Sequence, residues 1–398
     1  MLPDKTVPRL SIDPFSDGFL ADPYEHHDLL RDAGPVFWLE RHGIYGAARH
    51  AEVSAALKDW QNFCSGRGVG LDDFAVEEPW RPPSLLLETD PPVHDRTRSL
   101  MNSVVGLSGL KALTPLWRTK AEALADRLVA QRHFDAVADL AEAYPLSIFP
   151  DTIGMTEEGR ENLLVYARAT FNAFGPRNAV FTETDRAARD AVPWISHACQ
   201  RENLRPGGWG MAVYEQSDEG NCDAEEAHLL VRSFLSAGVD TTVTGIANMI
   251  YAFALHPDQW RMLRDNPSLR RKAFEEALRW DSPVQTFFRT TARVVELGGT
   301  VLPAGAKILL FLAAANRDPR RWDQPERFDI SCQASGHVGF GFGIHQCLGQ
   351  MVARLEAETL LEALLPRFSE IRLAGTPVRR LNNTLHAFSS MPVEINPV

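Results

Sequence analysis

The chain lacks a long apolar run. Nothing in its 398 residues approaches the roughly 18 consecutive apolar positions of a membrane-crossing helix. Its opening, MLPDKTVPRLSIDPF, has no apolar core of the signal-peptide kind, so the cytoplasm is the expected compartment and no membrane partner is expected. Positive charge is in deficit. With 41 Lys and Arg against 52 Asp and Glu, the formal net charge of −11 disfavours nucleic acid or an anionic membrane as partner. Cysteine is scarce and scattered: positions 64, 199, 222, 332 and 347 include no CxxC, which fits a reducing compartment without a disulfide frame. Asn382-Asn383-Thr384 spells a glycosylation sequon, which has no meaning without a secretory route. No repeat, low-complexity segment or linker divides the chain, so one helix-rich domain over residues 1–398 is expected.

What is present centres on residues 337–361, HVGFGFGIHQCLGQMVARLEAETLL. A glycine-rich run leads into Ile344-His345-Gln346-Cys347-Leu348-Gly349. Leu348, Met351, Val352 and Leu355 then recur at i, i+3, i+4, i+7, one apolar helix face, and the helix is expected to stop before Pro366. Cys347 therefore sits where a loop meets a helix N-terminus, a place that favours a thiolate over a thiol. The preceding glycines let backbone approach a flat ligand. Three readings compete: a structural cysteine, a phosphate-binding loop and a metal thiolate. The phosphate loop fails on pattern, because the position of a third glycine holds Gln346 and no strand–GxGxxG–helix unit is visible.

The spacing Phe340-x-x-Gly343-x-His345-x-Cys347-x-Gly349 resembles the haem-binding signature of cytochromes P450. The resemblance spans nearly the whole chain. It implies the P450 fold, mainly α with small β-sheets, with haem b (iron protoporphyrin IX) between a long central helix and the cysteine-loop helix. It implies that Cys347 is the proximal iron ligand, whose thiolate favours O–O cleavage, and that His345 bonds a haem propionate.

In chain order, a Pro-rich start carries a short helix from about Tyr24 to Arg31. Val36–Leu39 and Ile44–Ala47 flank Arg41-His42-Gly43 as a hairpin, and a helix over Ala51–Lys58 follows. Residues 64–93 read as a long loop, which in a compact domain usually carries function. From 94 to 285 the periodicity is mostly helical, broken at Pro145, Pro150, Gly175-Pro176 and Pro206-Gly207-Gly208. β-like runs appear at Val294–Leu297 and Lys307–Leu312.

Asp223–His256 is the longest helix candidate, roughly 50 Å at 1.5 Å per residue. Asp223 and Glu226 make a capping box and Pro257 ends the segment. Its centre, Ala237-Gly238-Val239-Asp240-Thr241-Thr242, is poor helix, and either a tolerated packing glycine or a local opening explains it. The resemblance places this stretch over the oxygen side of the haem. It implies that the Thr241 hydroxyl holds bound oxygen and a water while the Asp240 carboxylate passes protons inward.

Glu276-Ala277-Leu278-Arg279 matches the family's ExxR, both charges on one helix face. The family's pair is completed by a third arginine, here Arg327 in Pro325-Glu326-Arg327-Phe328. His94 and Arg98, four apart, and Arg289 match the propionate binders.

The runs around Arg81-Pro82-Pro83-Ser84, Phe171-Asn172-Ala173-Phe174 and Arg232-Ser233-Phe234-Leu235-Ser236 resemble the bacterial subfamily that oxidises para-substituted benzoates. A buried carboxylate must be hydrogen-bonded. Ser84 and Ser233 are the expected donors, with Arg81 and Arg232 adding charge. Ser233, Ser236 and Ala237 share a helix face with Asp240 and Thr241. Leu87, Phe171, Phe174, Ala237 and Phe287 would form a flat apolar slot. A rigid ring anchored by its carboxylate then points its para group at the iron, which implies O-demethylation of 4-methoxybenzoate or hydroxylation of para-alkyl groups. Thr170 beside the aromatic pair, and Phe342 within the cysteine loop, depart from the subfamily. No flavin or iron–sulfur domain is present, so the resemblance implies O2 as co-substrate and electrons from a ferredoxin with its NAD(P)H-dependent reductase. Arg96, Arg98 and Arg354 are the candidate docking cations. Two alternatives remain: a P450 acting on another small molecule, such as a terpenoid or biosynthetic intermediate, and a non-catalytic haem–thiolate sensor.

Overall fold

The computed structural model describes residues 4–398. Helices dominate, and the largest apolar core forms among them. It joins the helices Leu107–Gln131, Ala143–Ile153, Ala224–Ala237, Asp240–Leu255, Arg270–Trp280 and Gln350–Leu364. The longest of these is Leu107–Gln131, against which Gln350–Leu364 packs. The fully buried Trp117 and Tyr144 fill this region, each removing a large apolar area from water.

A six-stranded sheet makes the other wall. Its order is Arg9–Leu10, Phe37–Leu39, Ile44–Ala47, Lys307–Phe311, Thr286–Thr291 and Phe63–Cys64. Strand alternation sorts its side chains. Phe288 joins the core cluster of Phe15, Phe37 and Phe311, while Phe287 and Arg289 point the opposite way into the main cavity. The expected hairpin is present, with Trp38 paired to Tyr45. Residues 294–297 and 307–312 form strands Val295–Leu297 and Lys307–Phe311. Leu312 leaves the sheet to begin the short helix Leu312–Asn316.

The expected single helix over Asp223–His256 is two helices, Ala224–Ala237 and Asp240–Leu255, separated at Gly238 and Val239. The Asp223–Glu226 capping box is present at the first N-terminus. Close packing explains the glycine: a Cβ at Gly238 would meet Phe149 Cζ at 2.3 Å. The Thr241 hydroxyl donates back to the Ala237 carbonyl at 2.9 Å, spanning the interruption. Among the described residues, no helix is long and apolar enough to cross a membrane.

Candidate functional site

The interrupted helix pair, the cysteine loop and the sheet enclose a cavity of about 1700 Å³ of empty space. That space runs continuously from the cysteine loop to Ser84 and Ser233 at its far end.

The floor is the cysteine loop. Gly341 and Gly343 adopt φ of 67° and 73°, which turns the chain sharply. At Gly343 a Cβ would also lie 2.6 Å from the Leu57 carbonyl oxygen, so no other residue fits. The turn lets the Cys347 N–H donate to the Phe340 carbonyl at 2.8 Å. Phe340, Cys347 and Gly349 all line the cavity. The helix itself begins at Gln350, with Gly349 as N-cap. Enclosure by protein raises the Cys347 pKa, against the opposing pull of the Gly349 N–H and the charges of Arg98 and Arg354. A coordinating metal cation reverses that balance outright.

One side of the cavity gathers cations. The His94 and His345 rings meet edge-on with centroids 4.5 Å apart, and the Nε2 of each is buried without a hydrogen-bond partner among the described residues. His345 Nδ1 lies 3.1 Å from the Leu86 carbonyl, and its Nε2 lies 3.8 Å from Asp90. Arg289 is buried, its Nη1 donating to the Phe288 carbonyl at 2.8 Å, and burial lowers its pKa to about 10. Arg98 also lines the cavity, and burial lowers its pKa too. Asp90 is spent on the N–H groups of Ser65 and Gly66, at 3.0 and 2.8 Å. Buried cations and donors without matching acceptors call for an anionic ligand.

Thr241 and Thr242 line the opposite wall. Asp240 does not reach the cavity. It is fully buried, both carboxylate oxygens accept from Arg380 Nη2 at 3.0 Å, and Arg168 Nε lies 3.9 Å away. Its helix N-terminus and these two guanidinium groups hold the carboxylate away from the space it was expected to serve.

The ExxR pair is buried and closed. Arg279 donates to both Glu276 oxygens at 2.7 Å, and to the carbonyls of Asn316, Pro325 and Arg327. Glu276 also accepts from the Asp329 N–H at 3.0 Å. Arg327 is thus a carbonyl partner only. Its side chain is 61% exposed and faces Asp329, while the Glu276 oxygens it was expected to share already accept from Arg279 and the Asp329 N–H.

The far end is lined by Arg81, Ser84, Leu87, Ser233, Ser236 and Ala237, with Phe171, Phe174 and Phe287 beside them. Phe171 and Phe174 meet edge-on at 5.7 Å, and Phe174 lies 5.7 Å from Phe287. Ser84 Oγ accepts from the N–H groups of Leu86 and Leu87 at 3.3 and 3.2 Å, so its own proton is free for the cavity. Ser233 Oγ lies 3.5 Å away and donates to the Leu229 carbonyl of its own helix at 3.1 Å. Two arginines differ from expectation. Arg232 is outside the cavity lining and donates to the Pro82 carbonyl at 2.7 Å. Arg81 lines the cavity but is already paired, with Nη1 2.9 Å from Glu88. Thr170 also lines the cavity, although its hydroxyl bonds to the Tyr166 carbonyl of its own helix.

The candidate docking cations are not free. Arg96 pairs with Glu226 and Arg354 with Glu275, while Arg98 faces inward. Sequence reasoning passed over Glu88 and Asp90, whose partners lie within the same irregular 64–93 segment, and Arg380, whose partner Asp240 is 140 residues away. Only the adjacency of Asp90 to the His94–Arg98 segment gave a signal.

The sequence profile of the Cytochrome P450 family matches residues 210–396. The chain is 53% identical over 392 residues to Cytochrome p450 CYP199A2 of Rhodopseudomonas palustris, covering 98% of this chain and 95% of that one. It is 31% identical over 385 residues to Cytochrome P450 monooxygenase PikC of Streptomyces venezuelae, covering 93% and 89%. The solved structure of cytochrome P450 CREJ superposes with a TM-score of 0.86 at 26% identity, over 97% of this chain and 98% of that one. The chain belongs to the cytochrome P450 family of haem b monooxygenases, which work with O2, a substrate and redox partners.

Proposed function

We propose that this P450 oxidises a small aromatic carboxylate at its para substituent, with O-demethylation of 4-methoxybenzoate as the representative reaction. The observation that carries the reading is the far end of the cavity, where Ser84, Ser233 and Arg81 meet a slot walled by Phe171, Phe174 and Phe287. Polar donors at one end and aromatic walls along the length suit a flat acid.

The residues fit haem b. Cys347 on the floor would bind the iron, with Phe340 and Gly349 beside it. His94, Arg98, Arg289 and His345 would hold the two propionates, which supply the acceptors that the orphaned histidine nitrogens and the buried Arg289 require. Bound haem, with its thiolate ligand, supplies activation of O2 and insertion of one oxygen atom. The chain's own residues do the rest. Ser84 donates to the substrate carboxylate, Ser233 does so by turning its hydroxyl from the Leu229 carbonyl, and Arg81 adds charge. Leu87, Ala237 and the three phenylalanines hold the ring and exclude water, so the para group is the part presented to the reacting centre. Ser236 closes the polar end. Thr241 holds a proton at Oγ1 on the cavity wall. Asp240, clamped by Arg380 and Arg168, feeds it only when that clamp relaxes, and so acts as a gated donor.

The balance is 4-methoxybenzoate plus O2, two electrons and two protons giving 4-hydroxybenzoate, formaldehyde and water. The electrons would come from a ferredoxin and its NAD(P)H-dependent reductase in the cytoplasm.

The test is an optical titration of the ferric holoenzyme with 4-methoxybenzoate and with its methyl ester. A low-to-high-spin shift with the acid, at least tenfold tighter than with the ester, is expected. Equal affinity for both, or no shift with either, sinks the carboxylate reading and leaves the monooxygenase without this substrate.

A further inference from the structure

The acid end of the cavity carries a negative charge that the reaction does not need. Glu88 is 4% exposed. One of its oxygens, Oε2, accepts from Arg81 Nη1 at 2.9 Å and from the Ser84 N–H at 2.7 Å. Glu88 does not line the main cavity. It lines a smaller one, about 320 Å³ of empty space, that shares Arg81, Thr170 and Phe174 with the first. The Arg81 side chain is therefore the partition between the two spaces. Its Nη1 is used on Glu88 and the Pro82 carbonyl, while Nε and Nη2 make no hydrogen bond among the described residues. Arg232, buried alongside and bonded to the same Pro82 carbonyl, has no carboxylate partner among the described residues.

Two guanidinium groups and one carboxylate leave one net positive charge at the polar end. We propose that Glu88 is a specificity-determining residue which acts through Arg81, trimming the charge of this end so that it accepts a monoanionic substrate, and anchoring the Ser84 backbone so that its hydroxyl faces the ring's carboxylate. This rests on the acid reading of the cavity. Without Glu88, the buried Arg232 and the half-buried Arg81 would face each other and any anion would be drawn in. Without Arg81, Glu88 would stand unpaired beside an incoming carboxylate and repel it, because a buried charge that loses its partner is costly.

The test is a cycle of holoenzymes, Arg81→Gln, Glu88→Gln and the double variant, each titrated with 4-methoxybenzoate and its methyl ester by the spin-state shift. Arg81→Gln is expected to weaken the acid at least tenfold and the ester less than twofold. Glu88→Gln is expected to tighten the acid several-fold relative to the ester. In the double variant the acid recovers most of what Arg81→Gln lost. Glu88→Asp, which keeps the charge, should retain the wild-type acid-to-ester ratio. A double variant no better than Arg81→Gln overturns the proposal, as does a Glu88→Asp protein that behaves like Glu88→Gln. If Glu88→Gln fails to load haem, the double variant decides, since it leaves neither charge buried alone. Failure of both to load assigns Glu88 to folding and overturns it as well. A wild-type protein with no preference for acid over ester removes the underlying reading, whereas a clear preference without recovery removes only the role of Glu88.

Discussion

Two arginine–glutamate pairs, Arg279–Glu276 in the core and Arg81–Glu88 at the cavity's far end, differ in how far they are saturated. Arg279 gives every guanidinium nitrogen to a partner: both oxygens of Glu276 and the carbonyls of three other residues. Arg81 commits Nη1 alone, to Glu88 and one carbonyl, and keeps the rest of its fork beside the open space. Identical residue types thus do opposite work. The closed pair ties the Arg270–Trp280 helix to the segments leading into the cysteine loop and has nothing left to offer a ligand. The open pair is held in place by Glu88 and keeps two guanidinium nitrogens without partners among the described residues, which the proposed acid would use.

Breaking the closed pair should have the largest effect. Arg279→Ala strands the Glu276 charge and three carbonyls in a buried site, at a cost of about 3–5 kcal/mol. The purified protein should carry little haem, read as the ferrous–CO absorbance per chain, and should unfold at lower urea concentration. Arg81→Ala in the same assays should keep its haem and lose its acid affinity instead, because Glu88 still accepts from the Ser84 N–H. Equal haem loss in both variants would erase the distinction.

The contrast also marks what a linear chain reveals. The cysteine loop was legible because its chemistry is local. Glycines at fixed offsets make the turn, and an apolar stripe names the helix that follows. The ExxR pair was legible for the same reason, one helix face three residues apart. Arg327 was misjudged because sequence does not say whether a residue offers its side chain or its carbonyl. The thiolate reading stands with the family, but its helix argument reached too far: the helix starts at Gln350, beyond Cys347, so the metal and not the helix end supplies the stabilising charge. Weak helix propensity at Gly238 announced a defect, but only the nearness of Phe149 explains it. Glu88 left no trace because its partners Arg81 and Ser84 lie in a segment without periodicity, and Arg380 because its partner Asp240 is 140 residues away.

A smaller effect sharpens the open side. Ser84→Ala removes one neutral donor to the carboxylate while leaving Arg81 and Glu88 paired. A hydrogen bond to a charged group is worth about 1.5–3 kcal/mol, so the acid should bind roughly tenfold more weakly or worse, with the ester nearly unaffected. Titration of both ligands against one preparation checks this. A loss shared equally by acid and ester would mean that Ser84 shapes the loop and does not contact the anion.

Glu356 is the limiting case, a carboxyl with no arginine at all. It is fully buried on the Gln350–Leu364 helix, and neither oxygen has a hydrogen-bond partner among the described residues. The nearby Tyr144 hydroxyl is engaged with Thr359 at 2.6 Å. Burial alone raises the Glu356 pKa to about 8 from an ordinary 4.5. The folded protein therefore keeps this proton while the unfolded chain releases it. The stability it allows is complete below about pH 4.5 and is lost progressively as pH rises through about 8. Glu356→Gln retains the neutral shape at every pH and removes that dependence. Near pH 5 the variant and the wild type should unfold at similar temperatures, and by pH 8.5 the variant should lead by at least ~2 °C. An offset that does not change with pH would mean that Glu356 does not carry a proton in the fold, and that a third kind of partner balances a charge which neither the closed pair nor the open pair reaches.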